Sequence, residues 1–183
     1  MSVIVVEFLT LDGVVEDPDG SGGTAIGGWA FRHGPEAVAG DKFRLGPLLD
    51  TGVLLLGRTT WELFAKLWPG RSGEFPDRLN AAAKLVASRT LHDVTAWQNS
   101  VLLRGDLVSV VEREERDVIV IGSIGIAQAL GRRDLVDEYR LLVFPTLAGA
   151  GRRLFDGVAA PADLRLVSAT QVGPAVLSTY RTH

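Results

Sequence analysis

The run Val118-Ile119-Val120-Ile121 enters Gly122-Ser123-Ile124-Gly125-Ile126 without a break and continues into Ala127-Gln128-Ala129-Leu130. Four consecutive β-branched residues fit a strand buried on both faces, as in a parallel sheet covered by helices. Gly122 and Ser123 fit a tight turn, with Ser123 placed to cap a helix start. A strand that ends in glycine and opens a helix points free backbone N–H groups at whatever lies beyond it, a favourable seat for a pyrophosphate. It is also how any strand turns into a helix, so both readings stay open on this stretch alone.

The device recurs upstream. Val53-Leu54-Leu55-Leu56 runs into Gly57-Arg58-Thr59-Thr60-Trp61-Glu62, where Thr59 or Thr60 can cap and Trp61, Phe64 and Ala65 supply a buried helix face. Arg58 at a helix N-terminus opposes the helix dipole unless an anion sits there too. Leu85-Val86-Ala87 ends in Ser88-Arg89-Thr90. Ligands of open α/β sheets bind beyond the carboxyl ends of the strands. Two arginines, several hydroxyls and two helix N-termini gathered there suit a phosphate-rich dinucleotide, and the guanidinium fork suits a terminal phosphate. The expectation is a nucleotide site that prefers a 2'-phosphorylated cofactor.

The other segments read as strand (Val3 to Leu9), helix (Pro35 to Leu49), short helix (Pro76 to Ala83), short strands (Val94 to Trp97, Val101 to Leu103), amphipathic helix (Asp106 to Glu115) and strand (Tyr139 to Phe144). Leu164 to Val172 and Ala175 to Tyr180, split by Gly173-Pro174, read as a closing antiparallel hairpin with a polar outer face. The pattern is an α/β sheet, mostly parallel, with an antiparallel end. Residues 1–183 are expected to form a single domain.

Several residues carry two readings. Glu7 is a carboxylate in an apolar strand, either functional or at the strand's exposed end. Asp41 lies in the expected Pro35–Leu49 helix, facing solvent or supplying a proton. Gly13 to His33 is a long Gly/Asp/Pro-rich loop of the kind that forms lids; Trp29 and Phe31 either cover a ligand or plug the loop onto the core.

The net charge is −3, from 19 basic and 22 acidic residues, which speaks against a nucleic-acid binder driven by bulk electrostatics. There are no cysteines and three histidines, His33, His92 and His183, without ligand spacing, so no metal site is expected. The N-terminus has no basic region ahead of an apolar one, and no apolar run approaches the ~20 residues of a membrane span. A cytoplasmic protein is the expectation.

Taken together, Leu11-Asp12-Gly13, Gly27-Gly28-Trp29, Leu56-Gly57-Arg58-Thr59-Thr60-Trp61-Glu62 and Lys84-Leu85-Val86-Ala87-Ser88-Arg89-Thr90-Leu91 resemble the dihydrofolate reductase superfamily. So do Val120-Ile121-Gly122-Ser123, Leu135-Val136-Asp137-Glu138-Tyr139-Arg140-Leu141 and Pro145-Thr146-Leu147-Ala148-Gly149-Ala150-Gly151 with Arg153-Leu154-Phe155. The chain most resembles the branch related to the C-terminal reductase domain of the riboflavin-biosynthesis deaminase-reductase. The resemblance implies a three-layer α-β-α dihydrofolate-reductase-like fold and an NADPH-dependent reductase, similar to dihydrofolate reductase and 5-amino-6-(5-phosphoribosylamino)uracil reductase. It implies that Gly57, Arg58, Thr59 and Thr60 bind the pyrophosphate region and that Ser88, Arg89 and Thr90 contact the 2'-phosphate. Gly122, Ser123, Ile124, Gly125 and Ile126 would pack under the pyrophosphate and nicotinamide side.

On the substrate side, Asp41 falls where folate enzymes carry the carboxylate that assists protonation, and Trp68-Pro69-Gly70-Arg71 resembles a segment whose arginine holds folate's glutamate. Glu7, Trp29, Leu45 and Arg71 are the candidate substrate contacts, with Glu7 second to Asp41 as a proton source. A longer loop between Trp29 and Asp41, Val143 in place of the usual threonine, and the Pro145–Phe155 tail point away from folate. The resemblance implies a small heterocyclic substrate and a homodimer. The competing readings are an NADPH-binding module without turnover, and a structural protein whose glycine-rich turns are only turns.

Overall fold

A computed structural model describes residues 1–157 and 161–182. In chain order the elements are β1 (Val3–Thr10), α1 (Leu48–Thr51), β2 (Val53–Gly57), α2 (Arg58–Leu67), α3 (Glu74–Ala81), β3 (Ala83–Ala87) and β4 (Ser100–Leu102). They continue with α4 (Leu107–Arg113), β5 (Val118–Ile121), α5 (Ile124–Gly131), β6 (Glu138–Phe144), β7 (Arg165–Val172) and β8 (Ala175–Arg181). The strands form one sheet in the order β4-β3-β2-β5-β1-β6-β8-β7. The first six run parallel; β8 pairs antiparallel with β6 and with β7.

The aliphatic runs explain the layers. Val3, Val5 and Leu9 of β1 pack with Val120, with Val111 of α4 and with Ile126, Ala127 and Leu130 of α5. Ile4 and Val6 point the other way, into a cluster with Leu54, Leu56, Trp61 of α2 and Leu79 of α3. Strands buried on both faces need apolar residues at every position, whence the unbroken runs. Each such side chain contributes about 1.5–3 kcal/mol by leaving water. The result is the α-β-α sandwich with a mostly parallel sheet and a C-terminal antiparallel hairpin expected from the sequence.

Three segments differ from their local pattern. Residues 35–49 form no continuous helix, only a 3-10 turn at Pro35–Ala37 and the single turn α1. Gly40 and Arg44 take left-handed backbone (φ 73° and 54°), and Asp41 accepts from the N–H groups of Leu45 and Gly46. That side-chain turn competes with the helix for the same donors. Val94 to Trp97 is not a strand; Asp93 accepts from Thr95 N and folds a turn there. The exposed surface of the hairpin is mixed, not wholly polar: Arg165, Ser168 and Gln171 share it with Leu166, Val167 and Val176, which are 55%, 44% and 42% exposed. The two short helices lie within two residues of expectation, at Glu74–Ala81 and at Leu107–Arg113, the latter capped by Asp106. Among the described residues no helix is long and apolar enough to cross a membrane.

Candidate active site

β2 and β5 are neighbours, but the chain leaves them on opposite faces. After β2 it enters α2 and moves outward to β3; after β5 it enters α5 and crosses β1 to β6. Such a switch point opens a crevice beyond the strand ends. Here the crevice floor is stitched from two turns. Gly57 N donates to Ser123 Oγ at 2.9 Å, and Ser123 N donates to Thr60 Oγ1 at 3.0 Å. Gly122 (φ 60°) and Ser123 (φ 52°) are both left-handed, which a serine tolerates only where its neighbourhood holds it. A Cβ on Gly122 would lie 3.3 Å from Thr60 Cγ2, so glycine lets the two turns meet.

The expected caps are therefore absent. Neither Thr59, Thr60 nor Ser123 caps a helix; α2 and α5 both lack a side-chain cap. The hydroxyls of Thr60 and Ser123 are used between turns, 63 and 66 residues apart in sequence. The N–H groups of Arg58, Thr59, Ile124 and Gly125 lie ahead of their helices' own ladders, at the ends of β2 and β5. No acidic residue stands in either first turn, and nothing lies within 4 Å of where a Cβ on Gly125 would be.

Arginines rim this edge. Arg58 opens α2 and is exposed. Ser88 Oγ accepts from Thr90 N (3.1 Å) and Leu91 N (2.9 Å), and the turn it closes presents Arg89 to solvent. Gly57 is level with Ala87 and Val86 with Leu102, so Arg58, Ser88 and Arg104 follow three adjacent strands at one height. None of the three arginines forms an ion pair among the described residues. Arg104 is not among the residues singled out from sequence. Its signal is the same as that of Arg58 and Arg89, an arginine close after a short apolar run, here Val101-Leu102-Leu103.

The substrate-side candidates scatter. Glu7 does not lie at an exposed strand end: it is 5% exposed, and its Oε1 has no hydrogen-bond partner. Burial pushes its carboxyl well above the usual carboxylate range. Asp41 sits in a loop with both oxygens on its own turn, at 2.8 and 2.7 Å. Leu45 is buried core beside Leu49. Trp29 plugs the loop: it is 1% exposed, meets Phe144 edge-on at 5.7 Å, and its Nε1 donates to Glu16 O. Phe31, in contrast, is 51% exposed. Arg71 lies past the far end of α2 from Gly57, stacked 5.2 Å over Trp68, and α3 separates it from β3. The structure thus brings together the turns at Gly57, Ser88 and Gly122, packs Leu45 into the core cluster that holds Leu56 and Trp61, and places Asp41, Trp29 and Arg71 in three separate loops.

Two loops close the β1 side. Asp12 accepts from Thr10 Oγ1 (2.7 Å), Ala148 N (3.0 Å) and Gly149 N (2.8 Å), tying the Pro145–Gly151 loop to the end of β1. Those bonds, the Thr10 hydroxyl foremost, hold its carboxyl at about 2. Asp17 gathers Gly22 N, Thr24 N and Thr24 Oγ1 and so shapes the Gly13–His33 loop from within. At the opposite edge of the sheet, a cavity of about 360 Å³ is lined by residues including Asp117, Asp137, Glu138, Arg140 and Arg181. Glu138 there pairs with both arginines, at 2.7 and 2.9 Å.

The donors at the carboxyl edge (uncapped helix N–H groups and three arginines without an ion pair among the described residues) fit a ligand with several phosphates. The known proteins similar to this chain agree in fold. A Shewanella sp. PV-4 protein provisionally assigned to riboflavin biosynthesis is 20% identical, with TM-score 0.77 over 100% of this chain and 99% of that one. RibD of Acinetobacter baumannii is 17% identical with TM-score 0.66, and this chain spans 58% of it. A diaminohydroxyphosphoribosylaminopyrimidine deaminase/5-amino-6-(5-phosphoribosylamino)uracil reductase of Thermotoga maritima is 17% identical with TM-score 0.63, and this chain spans 56% of it. The uncharacterised protein YyaP of Bacillus subtilis (strain 168) is 26% identical over 129 residues, 66% of each chain. The strands and turns described above fall almost entirely within residues 1–178, which match the model of the RibD C-terminal domain, and the chain belongs to that reductase-like family.

Proposed function

We propose that this chain is an NADPH-dependent reductase acting on a small heterocyclic or carbonyl-bearing substrate. The observation that carries the reading is the row of exposed arginines, Arg58, Arg89 and Arg104, without ion pairs among the described residues, beside two uncapped helix N-termini at the β2/β5 switch point. Ser88, Arg89, Thr90 and Arg104 would hold the 2'-phosphate; Gly57 to Thr60 and Gly122 to Ile126 would hold the pyrophosphate. NADPH, when bound, supplies a hydride. The chain binds its phosphates through backbone N–H groups and guanidinium forks, orients it along the strand ends, and excludes water with the Gly13–His33 and Pro145–Gly151 loops. Support also comes from the family and from the reductase half of the Thermotoga maritima protein's name.

A second reading, a module that binds NADPH without turnover, draws on Asp41. Both of its oxygens serve its own turn. The homodimer also belongs to the proposal, with the exposed edge strand β7 as the pairing edge, and sedimentation checks it.

Titration with NADPH and NADH, followed by tryptophan quenching and thermal shift, tests the cofactor. NADPH binding well over tenfold tighter than NADH is expected. Failure of both to bind folded protein ends the reading. NADPH oxidation with any pteridine, folate or phosphoribosyl pyrimidine then separates reductase from module.

A further inference from the structure

Glu7 is buried within β1, level with the end of β5, and takes no part in holding the phosphates; a role for it rests on NADPH binding at this edge. Strand order gives the ligand a direction. Arg104 and Arg89 follow β4 and β3, the uncapped helices follow β2 and β5, and β1 comes next. A dinucleotide held by its 2'-phosphate at the arginines and by its pyrophosphate at the helices carries its ring end toward β1. Glu7 stands there. Val6 is level with Ile121, and Gly122 N reaches Val6 O at 3.4 Å, so Glu7 is level with the turn where β5 stops flanking β1.

On its face of the sheet Glu7 has apolar company: Val5 and Leu9 on β1, Leu141 on β6, Ile126 and Ala127 on α5. Two other titratable groups among the described residues face this side of the sheet: Tyr139 of β6, whose hydroxyl lies 3.2 Å from where a Cβ on Gly131 would be, at the far end of α5, and Tyr180 of β8, level with Tyr139. β5 and α5 carry no charged residue, and α4 keeps Glu112 and Arg113 exposed. Beyond Leu9, Asp12 and Arg153 bond to one another. Among the described residues no group partners Glu7 Oε1.

We propose that Glu7 is the proton-holding group of the site, protonated beside an uncharged ring and ionised beside a cationic one. Burial in apolar surroundings favours the neutral acid, and a cation in the same surroundings reverses that preference. Glu7 releases its O–H proton to the acceptor as hydride leaves NADPH for the same acceptor. The acceptor gains two electrons, NADPH loses two, and the carboxylate left on Glu7 offsets the charge of the oxidised ring. Water reprotonates Glu7 when the oxidised cofactor departs.

Linkage makes this testable by binding alone, because a proton displaced by a ligand makes that ligand's affinity depend on pH. The full chain is titrated with NADP+, NADPH and 2',5'-ADP between about pH 6 and 9. NADP+ binding is also measured calorimetrically in two buffers of different ionisation enthalpy. NADP+ is expected to tighten by up to about tenfold per pH unit and to release up to one proton. NADPH and 2',5'-ADP show only the shallow dependence of the 2'-phosphate all three share. Glu7→Gln removes the extra dependence for NADP+ while NADPH still binds. Equal proton release with NADP+ and NADPH, or an unchanged NADP+ profile in Glu7→Gln, overturns the proposal. The calorimetry uses the unaltered chain, so the outcome does not hang on the variant folding. Binding of NADPH and 2',5'-ADP without the differential sinks Glu7 alone, whereas failure of both to bind sinks the cofactor reading as well.

Discussion

The two edges of the parallel sheet treat buried and rim charges in opposite ways. At the amino edge the charges are matched, and the buried group left unpaired there is a neutral one, the indole N–H of Trp68 past the end of α2. Lys84, 1% exposed, donates to the carbonyls of Asn80 (2.9 Å), Ala82 (2.7 Å) and Gln98 (3.1 Å) and lies 4.3 Å from the Trp97 ring centroid. Glu138 bonds Arg140 and Arg181, while Asp117 and Asp137 accept from the N–H groups of Ser2 and Val3. At the carboxyl edge Asp12 is satisfied by its loop, but other groups are left open: three arginines without ion pairs among the described residues, two helix N-termini without caps, and a carboxyl oxygen with no partner. Buried polar groups left unpaired are costly, and a folded chain keeps them where something else completes them. The matched edge is architecture; the open edge is the proposed site.

Removing a matched charge is expected to have the largest effect on stability. Lys84→Met strands three carbonyl acceptors and costs about 3 kcal/mol at neutral pH, read from urea unfolding. Burial pulls the Lys84 ammonium down to about 8. Between there and about 10.4 the unfolded chain holds a proton that the folded chain has released, so stability from this residue rises with pH in that window. The Met variant lacks that rise. If Lys84→Met were as stable as the parent chain, the contrast between the edges would fail.

Arg89→Ala comes next and changes binding instead. NADPH affinity falls ten- to a hundredfold, NADH affinity barely moves, and unfolding stays within about 0.5 kcal/mol. A large loss of stability would mean that the arginine is structural and that the carboxyl edge is not open. Glu7→Gln has a smaller effect, of the opposite sign to Lys84→Met. Because burial raises the Glu7 carboxyl, its folded form binds a proton that the unfolded chain releases above about 4.3. Parent stability therefore falls, relative to the Gln variant, as pH rises from there through the raised value. Equal pH profiles would show that Glu7 is matched after all.

Asp12→Asn is the mildest. Asp12 is held at about 2, below its ordinary ~3.9, so its contribution is present above ~3.9 and lost as pH falls through about 2. The Asn variant keeps one acceptor. Faster hydrogen exchange confined to Ala148 and Gly149 is expected, and global unfolding instead would show that the loop is part of the core.

Residues whose environment is set by immediate neighbours are legible from sequence. The unbroken runs at Val53, Leu85 and Val118 announce strands covered on both faces, and Arg58 and Arg89 announce charge beyond their ends. Arg104 carries the same signal more faintly, because its strand, Ser100–Leu102, is so short. Thr60 and Ser123 read as caps because capping is the local use of a hydroxyl before a helix; their partners across the switch point do not show in either stretch. Asp41 reads as helical because the apolar spacing from Val38 to Leu49 is helical, while its side-chain turn competes at short range and prevails. Trp29 reads equally as lid or plug until Phe144, more than a hundred residues on, is seen beside it.

By itself the sequence determined the class of fold and the chemical character of one edge of the sheet. Hydrophobic runs report which segments are buried on both faces, and glycine, hydroxyl and arginine residues at their ends survive any reordering of the strands. Only the tertiary structure decided which turns meet, which hydroxyls they consume, and that Glu7 lies under apolar cover rather than in water. Those outcomes depend on strand order and on where α5 crosses the sheet, and both are set by long-range packing that local pattern does not encode.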